Sequence, residues 1–191
     1  MLLQDTIGYA SRHTSRDAGA TLLADQQFRD QLVALIPALR SFARGLCGRR
    51  DVADDLAQET MLRGWQARAS FRPGTNFRAW MFTILRNQFY SMIRKDKRMT
   101  GWDPEAAERL LVEAPSQQDT IHVADVAKAL QMLPPEQREV LMLIGANGAT
   151  YEEAAAVAGV AIGTIKSRLA RGRKALALLI AGPDSDDLPG R

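Results

Sequence analysis

A chain of 191 residues that is 46% hydrophobic can bury one sizeable core or two small ones. Its apolar runs fall short of the roughly 20 residues that span a bilayer, and its single cysteine, Cys47, excludes an internal disulfide, so a water-soluble protein of the reducing cytoplasm, with no membrane partner, is expected. Net charge is +3, from 25 basic and 22 acidic side chains, too mild for a protein that grips DNA unaided through many phosphates. The basic residues nevertheless bunch at 86–98 and 166–174, which points to nucleic acid approached with the help of a larger partner. His13 and His122 stand apart from each other and from Cys47, so neither a metal nor a cofactor is predicted.

Residues 1–24 lack the charged-then-apolar order of a signal peptide, and their Ser, Thr and Gly content predicts a loose leader. A first domain is expected over 25–98. Phe28, Leu32, Leu35, Ile36, Leu39, Phe42 and Leu46 recur with helical period, ended by Gly45 and Gly48, and Pro37 predicts a kink or break. Cys47 reads as a small packed residue, because no His or acid pattern accompanies it.

Asp51 is expected to cap a helix over 52–68, with Asp54 and Asp55 in the first turn, where the helix dipole favours acids. Val52, Ala53, Leu56, Thr60 and Trp65 can face inward. Asp55, Gln58, Glu59 and Leu62 then form an acidic outward face with one apolar spot, and Glu59 can pair with Arg63 one turn on. As acid/base groups or metal ligands these carboxylates lack a burying pocket and a histidine, so neither an enzyme nor a small-molecule substrate is predicted.

The stretch ASFRPGTN at 69–76 contains a Pro73-Gly74 turn and Asn76 as cap of a helix over 77–98. Phe77, Trp80, Met81, Ile84, Leu85, Gln88 and Met92 line one side of that helix. Arg78, Phe82, Arg86, Asn87, Tyr90 and Arg94 lie elsewhere, and cations interleaved with rings and an amide suit an unpaired strand, whose bases stack while its phosphates are tracked.

Residues 99–119, broken by Gly101, Pro104 and Pro115, read as a linker with a short helix near 104–112. A second domain follows over 120–181: a helix at 123–133, a stop and restart at Pro134-Pro135, and a helix to 146 ended by Asn147-Gly148. Thr150 and Glu153 form a capping box for a short helix of small residues that Gly159 ends. Next, Ile162, Ile165, Leu169, Gly172 and Leu176 make a buried stripe, leaving Thr164, Lys166, Ser167, Arg168, Arg171, Arg173 and Lys174 on the other faces, with no acid among them. Two helices around a tight turn, the second basic, predict a helix-turn-helix that offers its second helix to the major groove. The acidic tail, 182–191, is expected to be disordered.

Four phrases carry a family resemblance in one order along 25–181. DLAQET resembles the signature of bacterial sigma factors that docks on the clamp helices of the RNA polymerase beta-prime subunit. NFRAWMFTILRNQFYSMIRKDKR resembles sigma regions two-three and two-four. LPPEQREVLML and GTIKSRLARGRKAL resemble region four of the extracytoplasmic-function (ECF) group. The resemblance implies an all-α protein, two small helical domains (a region 2 bundle and a region 4 helix-turn-helix) joined by a flexible linker.

By that resemblance, Asp54, Asp55, Gln58, Glu59 and Leu62 contact core RNA polymerase, whose beta flap is a further partner. Ser70, Phe71, Arg72, Thr75, Arg78, Arg86, Asn87, Tyr90 and Arg94 hold the melted minus-ten element, with 70–75 receiving a flipped base and Asn87 reading the non-template strand. Thr164, Lys166, Ser167, Arg168, Arg171, Arg173 and Lys174 meet the duplex minus-thirty-five element. An anti-sigma factor is implied as regulator, and QFYSMIRK and GATYEEAA resemble the general-stress subgroup of alphaproteobacteria. Ala170 departs from the larger side chain common on the groove-facing helix, which leaves base preference there open. The rival reading is a stand-alone helix-turn-helix regulator, against which the aromatic and basic helix around Asn87 weighs.

Overall fold

The computed structural model describes residues 7–99 and 121–181, and among these there are helices and turns but no strand. The expected linker over 99–119, its short helix at 104–112 and the tail at 182–191 lie essentially outside the described residues.

The molecule divides at Pro37 into two units. The first is the N-terminal part of helix α1 (Ile7–Cys47), in which Phe28 and Leu32 are buried while Val33 is exposed. The helix starts at Ile7, so 7–24 is helical and not a loose leader. That stretch holds no proline and mixes Ala, Leu and Arg with its Ser and Thr, whose propensity penalties are each well under about 1 kcal/mol and do not stop a helix. The helix also runs on through Pro37 without the break expected there. A proline forfeits one backbone bond and crowds the preceding turn, but the turns on either side keep their own bonds.

The second unit holds the rest of α1, then α2 (Arg50–Gln66), a single 3-10 turn (Arg68–Ser70), α3 (Phe77–Met99), α4 (Ile121–Gln131), α5 (Pro135–Val140), α6 (Tyr151–Ala158) and α7 (Ile162–Ala181). From Leu141 to Ala146 the chain continues α5 in the wider π-helical form. The N–H of Asn147 there reaches back five residues to the Met142 carbonyl (3.0 Å), which the Asn147 side chain also meets at 2.8 Å. Helix α2 packs on α3, α3 on α6, and α7 on both α4 and α5.

Asp51 does not cap α2. The N-cap is Arg49, whose side chain makes no capping bond, and Asp51 sits inside the first turn paired with that arginine at 2.5 Å, which holds its carboxyl below the usual range. Of the inward set on α2, Ala53, Leu56 and Thr60 are buried, while Val52 and Trp65 are part-exposed. The Thr60 hydroxyl avoids an unpaired burial by donating to the Leu56 carbonyl at 2.7 Å.

Leu39, Phe42 and Leu46 of α1 meet this layer together with Met81, Leu85 and Phe89 of α3, all fully or almost fully buried. Phe82, expected among the outward residues of α3, is 1% exposed and packs against Phe42 with ring centroids 5.0 Å apart. Helix α3 is covered on two sides, by α2 and by α6, so its buried arc is wider than a single amphipathic stripe. Cys47 is buried, and loss of hydration pushes its thiol from 9.0 up to about 12.

Two glycines set close approaches around the π-helical segment. A Cβ at Gly172 of α7 would lie 3.1 Å from Leu141 Cδ1 and 3.4 Å from the Gln137 carbonyl oxygen. A Cβ at Gly45 of α1 would collide with the Met142 side chain.

Replacing Phe82 with Ala separates the buried placement from the surface one. A buried ring of this kind costs about 3–5 kcal/mol on truncation, and an exposed one within about 0.5 kcal/mol. Urea unfolding followed by far-UV circular dichroism is expected to show the larger loss.

Candidate nucleic-acid interfaces

The helix-turn-helix is built as its sequence predicts. Thr150 accepts from the Glu153 N–H (3.1 Å) while Glu153 accepts from the Thr150 N–H (2.9 Å), a complete capping box at the start of α6. Gly159 ends that helix at φ 67°, and both its N–H and that of Val160 bond to the Ala155 carbonyl. The turn places α7 with Ile165, Leu169 and Gly172 buried. Ile162, expected in this stripe, is exposed at the helix start, before α7 has reached its neighbours, and Leu176 is half-buried.

Lys166, Ser167, Arg171, Arg173 and Lys174 are exposed on α7, with Thr164 and Arg168 half-buried beside them. The Ser167 hydroxyl donates to the Thr164 carbonyl (3.0 Å), Arg171 Nε donates to the Ser167 carbonyl (3.3 Å), and Lys166 Nζ lies 5.7 Å from the centre of the Tyr151 ring. Five exposed polar or basic residues on α7 give a surface that can meet phosphates and base edges of a duplex. Ala170, also exposed, leaves a shallow spot among them.

A second surface lies on α2. Asp55 and Gln58 are exposed and Leu62 is 51% exposed, a large apolar side chain standing among polar ones. Glu59 pairs with Arg63 at 2.6 Å, as its spacing predicts. Asp54 has a different part: Arg40 of α1 grips it through two bonds of 3.0 and 2.9 Å, with Arg44 at 3.7 Å, and the hydrogen bonds to Arg40 hold its carboxyl below the usual range. Asp54 thus ties α2 to α1 at the edge of the face formed by the other four.

The third surface is α3 with the loop before it. Asn76 Oδ1 accepts from the Ala79 N–H (2.9 Å), capping α3 as expected. In the loop, the hydroxyls of Ser70 and Thr75 each donate to a carbonyl three residues back (both 2.7 Å), and Phe71 packs on Phe77 and Trp80 at 5.2 and 5.3 Å between centroids. Ser70, Arg72 and Thr75 are exposed, so the loop is a braced polar rim around a half-buried ring.

Along α3 itself the candidate residues divide. Asn87 and Arg94 are exposed. Arg78 lies over the Phe82 ring (5.2 Å) and donates to the Asn147 carbonyl. Arg86 Nε donates to Glu139 Oε1 (2.5 Å), the Tyr90 hydroxyl donates to Glu139 Oε2 (2.7 Å), and the Arg86 guanidinium lies 4.7 Å from the centre of the Tyr90 ring. Burial first, and then the Glu139 carboxylate, push the Tyr90 phenol far above its ordinary value.

Glu139 escaped the sequence reading, as did Asn76 and Glu153 as partners of each other at 2.5 Å. Nothing in the local pattern marks Glu139, which sits between buried Arg138 and buried Val140 and is itself 0% exposed. Only the packing of α3 on later helices brings it to its cations.

Sigma-70 region 2 matches residues 32–99, and Sigma-70, region 4 matches residues 124–176. The ECF RNA polymerase sigma factor EcfG of Rhodopseudomonas palustris (strain TIE-1) is 45% identical over 159 residues, covering 83% of this chain and 88% of that protein. The chain belongs to the ECF RNA polymerase sigma factor family. Among solved structures, this sigma factor is similar to the sigma factor RpoE in complex with the anti-sigma factor NepR from Bartonella quintana, at 42% identity and TM-score 0.71 over 83% of this chain and 99% of that one. It is similar also to CnrH in complex with the cytosolic domain of CnrY, at 28% identity and TM-score 0.63 over 87% and 96% of the two chains. The region 2 match spans α2, the loop and α3, and the region 4 match spans most of α4 to α7, so the three surfaces fall inside the matched segments. Among the described residues, no helix of this sigma factor is long and apolar enough to cross a membrane.

The helix-turn-helix depends on its cap. Thr150→Ala is expected to cost about 1 kcal/mol, and Thr150→Ser to restore most of it, as read from urea midpoints at constant m. Equal losses for both would show that the hydroxyl is not the stabilising group.

Proposed function

We propose that this sigma factor binds core RNA polymerase through the α2 face of Asp55, Gln58, Glu59 and Leu62, with Asp54 bracing that face. It then divides promoter recognition between its two matched regions. The exposed side of α7, with Lys166, Ser167, Arg171, Arg173 and Lys174 and the flanking Thr164 and Arg168, reads and positions the duplex minus-thirty-five element. The loop residues Ser70, Phe71, Arg72 and Thr75, with Arg78, Arg86, Asn87, Tyr90 and Arg94 of α3, hold the melted minus-ten strand. The beta-prime clamp helices are the partner of the α2 face, and the beta flap is a partner of the region 4 part. The protein supplies no chemistry of its own and works in the cytoplasm beside the polymerase it serves.

The observation that carries this reading is the joint presence of a basic helix facing outward, set by the capped helix before it, and an acidic helix face with an exposed leucine in one chain of mild net charge. A basic helix alone fits a duplex-binding regulator. The acidic and apolar face needs a protein partner, and phosphate contacts too few for tight binding alone become sufficient once that partner adds its own.

Control by an anti-sigma factor is supported by RpoE, solved with NepR, whose sequence is 42% identical to this one. The promoters served are those of a general stress response, as the phrases QFYSMIRK and GATYEEAA imply.

Run-off transcription with purified core polymerase is the direct test: specific initiation is expected with core enzyme, and weak promoter binding by the free protein. Asp55→Lys with Glu59→Lys is expected to weaken holoenzyme assembly. Tight, sequence-specific promoter binding without polymerase would overturn the reading.

The two DNA surfaces separate by permanganate footprinting. Arg171→Ala is expected to lose about 1–3 kcal/mol of promoter binding if its base contact is bidentate, on linear and pre-melted promoters alike. Asn87→Ala is expected to fail at strand opening and to be rescued by a pre-melted bubble. Rescue of Arg171→Ala but not Asn87→Ala would reverse the two assignments.

A further inference from the structure

Part of the surface assigned to the melted strand, Arg78, Arg86 and Tyr90, is the surface on which the region 4 helices rest, while Asn87 and Arg94 stay exposed. Asn76 at the start of α3 donates to Glu153 of α6, Arg78 two residues later to the Asn147 carbonyl, and Arg86 and Tyr90 further on to Glu139 of α5. Beside this line, Gln131 of α4 donates to the Gly45 carbonyl at 3.0 Å and Met142 fills the space over Gly45. The residues of α2 assigned to polymerase, Asp55, Gln58 and Leu62, remain exposed, as do Lys166, Ser167 and Arg171 of α7.

Glu139 does the chemical part of this covering. Its two oxygens take the Arg86 guanidinium, which a single strand would use for a phosphate, and the hydroxyl of Tyr90, whose ring would carry a stacked base. A carboxylate and a phosphate oxygen compete for the same guanidinium edge, so one excludes the other. The exclusion is steric as well, because Glu139 is fully buried and α5 stands where a nucleotide would have to lie.

We propose that Glu139 is an intramolecular stand-in for promoter phosphate, an autoinhibitory contact that closes the Arg86 and Tyr90 part of the strand-binding face of α3 in the free sigma factor while leaving its polymerase face open. Polymerase therefore docks first, and separation of the region 4 helices from α3 exposes the strand-binding residues afterwards. This rests on the reading of α3 as the minus-ten surface.

The test uses two opening variants of the full chain. Glu139→Gln removes the charge that competes for Arg86. Gly45→Leu acts through shape alone, wedging the Met142 contact from α1, where a leucine favours the helix it joins. Small-angle X-ray scattering reads the opening, and anisotropy of a fluorescein-labelled random single strand of about 20 nucleotides at low salt reads the exposed face. Capture on immobilised core polymerase reads the α2 face.

Both variants are expected to expand and to bind the strand about tenfold more tightly or better, as follows if only about a tenth of the wild-type protein is open. Adding Arg86→Ala is expected to cancel that gain, and core capture is expected to stay at the wild-type level. Variants that remain as compact as wild type, or a gain in strand binding that survives Arg86→Ala, overturn the proposal.

If the variants expand without any gain, Asn87→Ala and Arg86→Ala are assayed in holoenzyme on a linear promoter. Defective strand opening there means that the minus-ten reading stands and the autoinhibition fails. Normal opening means that the minus-ten reading itself has failed, and the proposal with it.

Discussion

A carboxylate with no access to water has to be satisfied from inside the protein, and Glu139 is satisfied by Arg86 and Tyr90 of a helix some fifty positions earlier in the chain. Much of the arrangement of the second unit follows from that need. For the pair to meet, α5 has to lie against the C-terminal half of α3, which brings α6 over its N-terminal half, where Asn76 and Arg78 find Glu153 and the Asn147 carbonyl. The same approach sets Gln131 on the Gly45 carbonyl and leaves buried Arg138 donating to Gln131. These are polar contacts, and a polar interface of this kind stores specificity of placement more than it stores free energy. Each group lost to water in closing was well solvated when apart, and the net gain is a small difference between large opposing quantities. That is the energetic profile of an interface that can be exchanged for another one.

How much of this was legible in the sequence varies with the range of the forces involved. The capping box of Thr150 and Glu153, the Gly159 stop, the Asn76 cap and the Glu59–Arg63 pair depend on residues three or four apart, and each was readable from spacing alone. Misreadings arose where a local rule met a longer-range one. Asp51 has the chemistry of a cap, but the helix begins one residue before it and its carboxylate pairs with Arg49. Phe82 looked like a surface aromatic because a one-sided stripe was assumed for α3, and packing on both flanks buried it against Phe42. The α1 helix began well before the expected point because nothing in 7–24 breaks a helix, even though nothing there advertises one either.

The candidate surfaces show the same gradient. Exposure of Asp55, Gln58 and Leu62 on α2, and of the basic residues of α7, follows from amphipathic period and was foreseeable. That Asp54 would turn from its neighbours to Arg40, and that Arg86 and Tyr90 would be held by one acid, was not, because those pairings span 14, 53 and 49 positions. A lone glutamate in LPPEQREV has the composition of a solvent-facing residue. Only the fold tells otherwise.

Leu141 and Met142 are consecutive, yet they serve opposite neighbours: Leu141 fills the gap left by Gly172 of α7, and Met142 the gap left by Gly45 of α1. The π-helical turn that carries both is therefore a shared wall, and neither side can be repacked in isolation. Thermodynamic reciprocity then applies across it. Whatever displaces α7 enough to move Leu141 shifts the free energy of the Met142 contact, and an event at Gly45 is returned to α7 with equal magnitude. Methionine, unbranched and with three rotatable bonds, is suited to the yielding side of such a wall. A stiffer β-branched residue at the same place would transmit displacement more fully and accommodate less of it, so the choice of side chain at this one position tunes how strongly α7 and α1 sense each other.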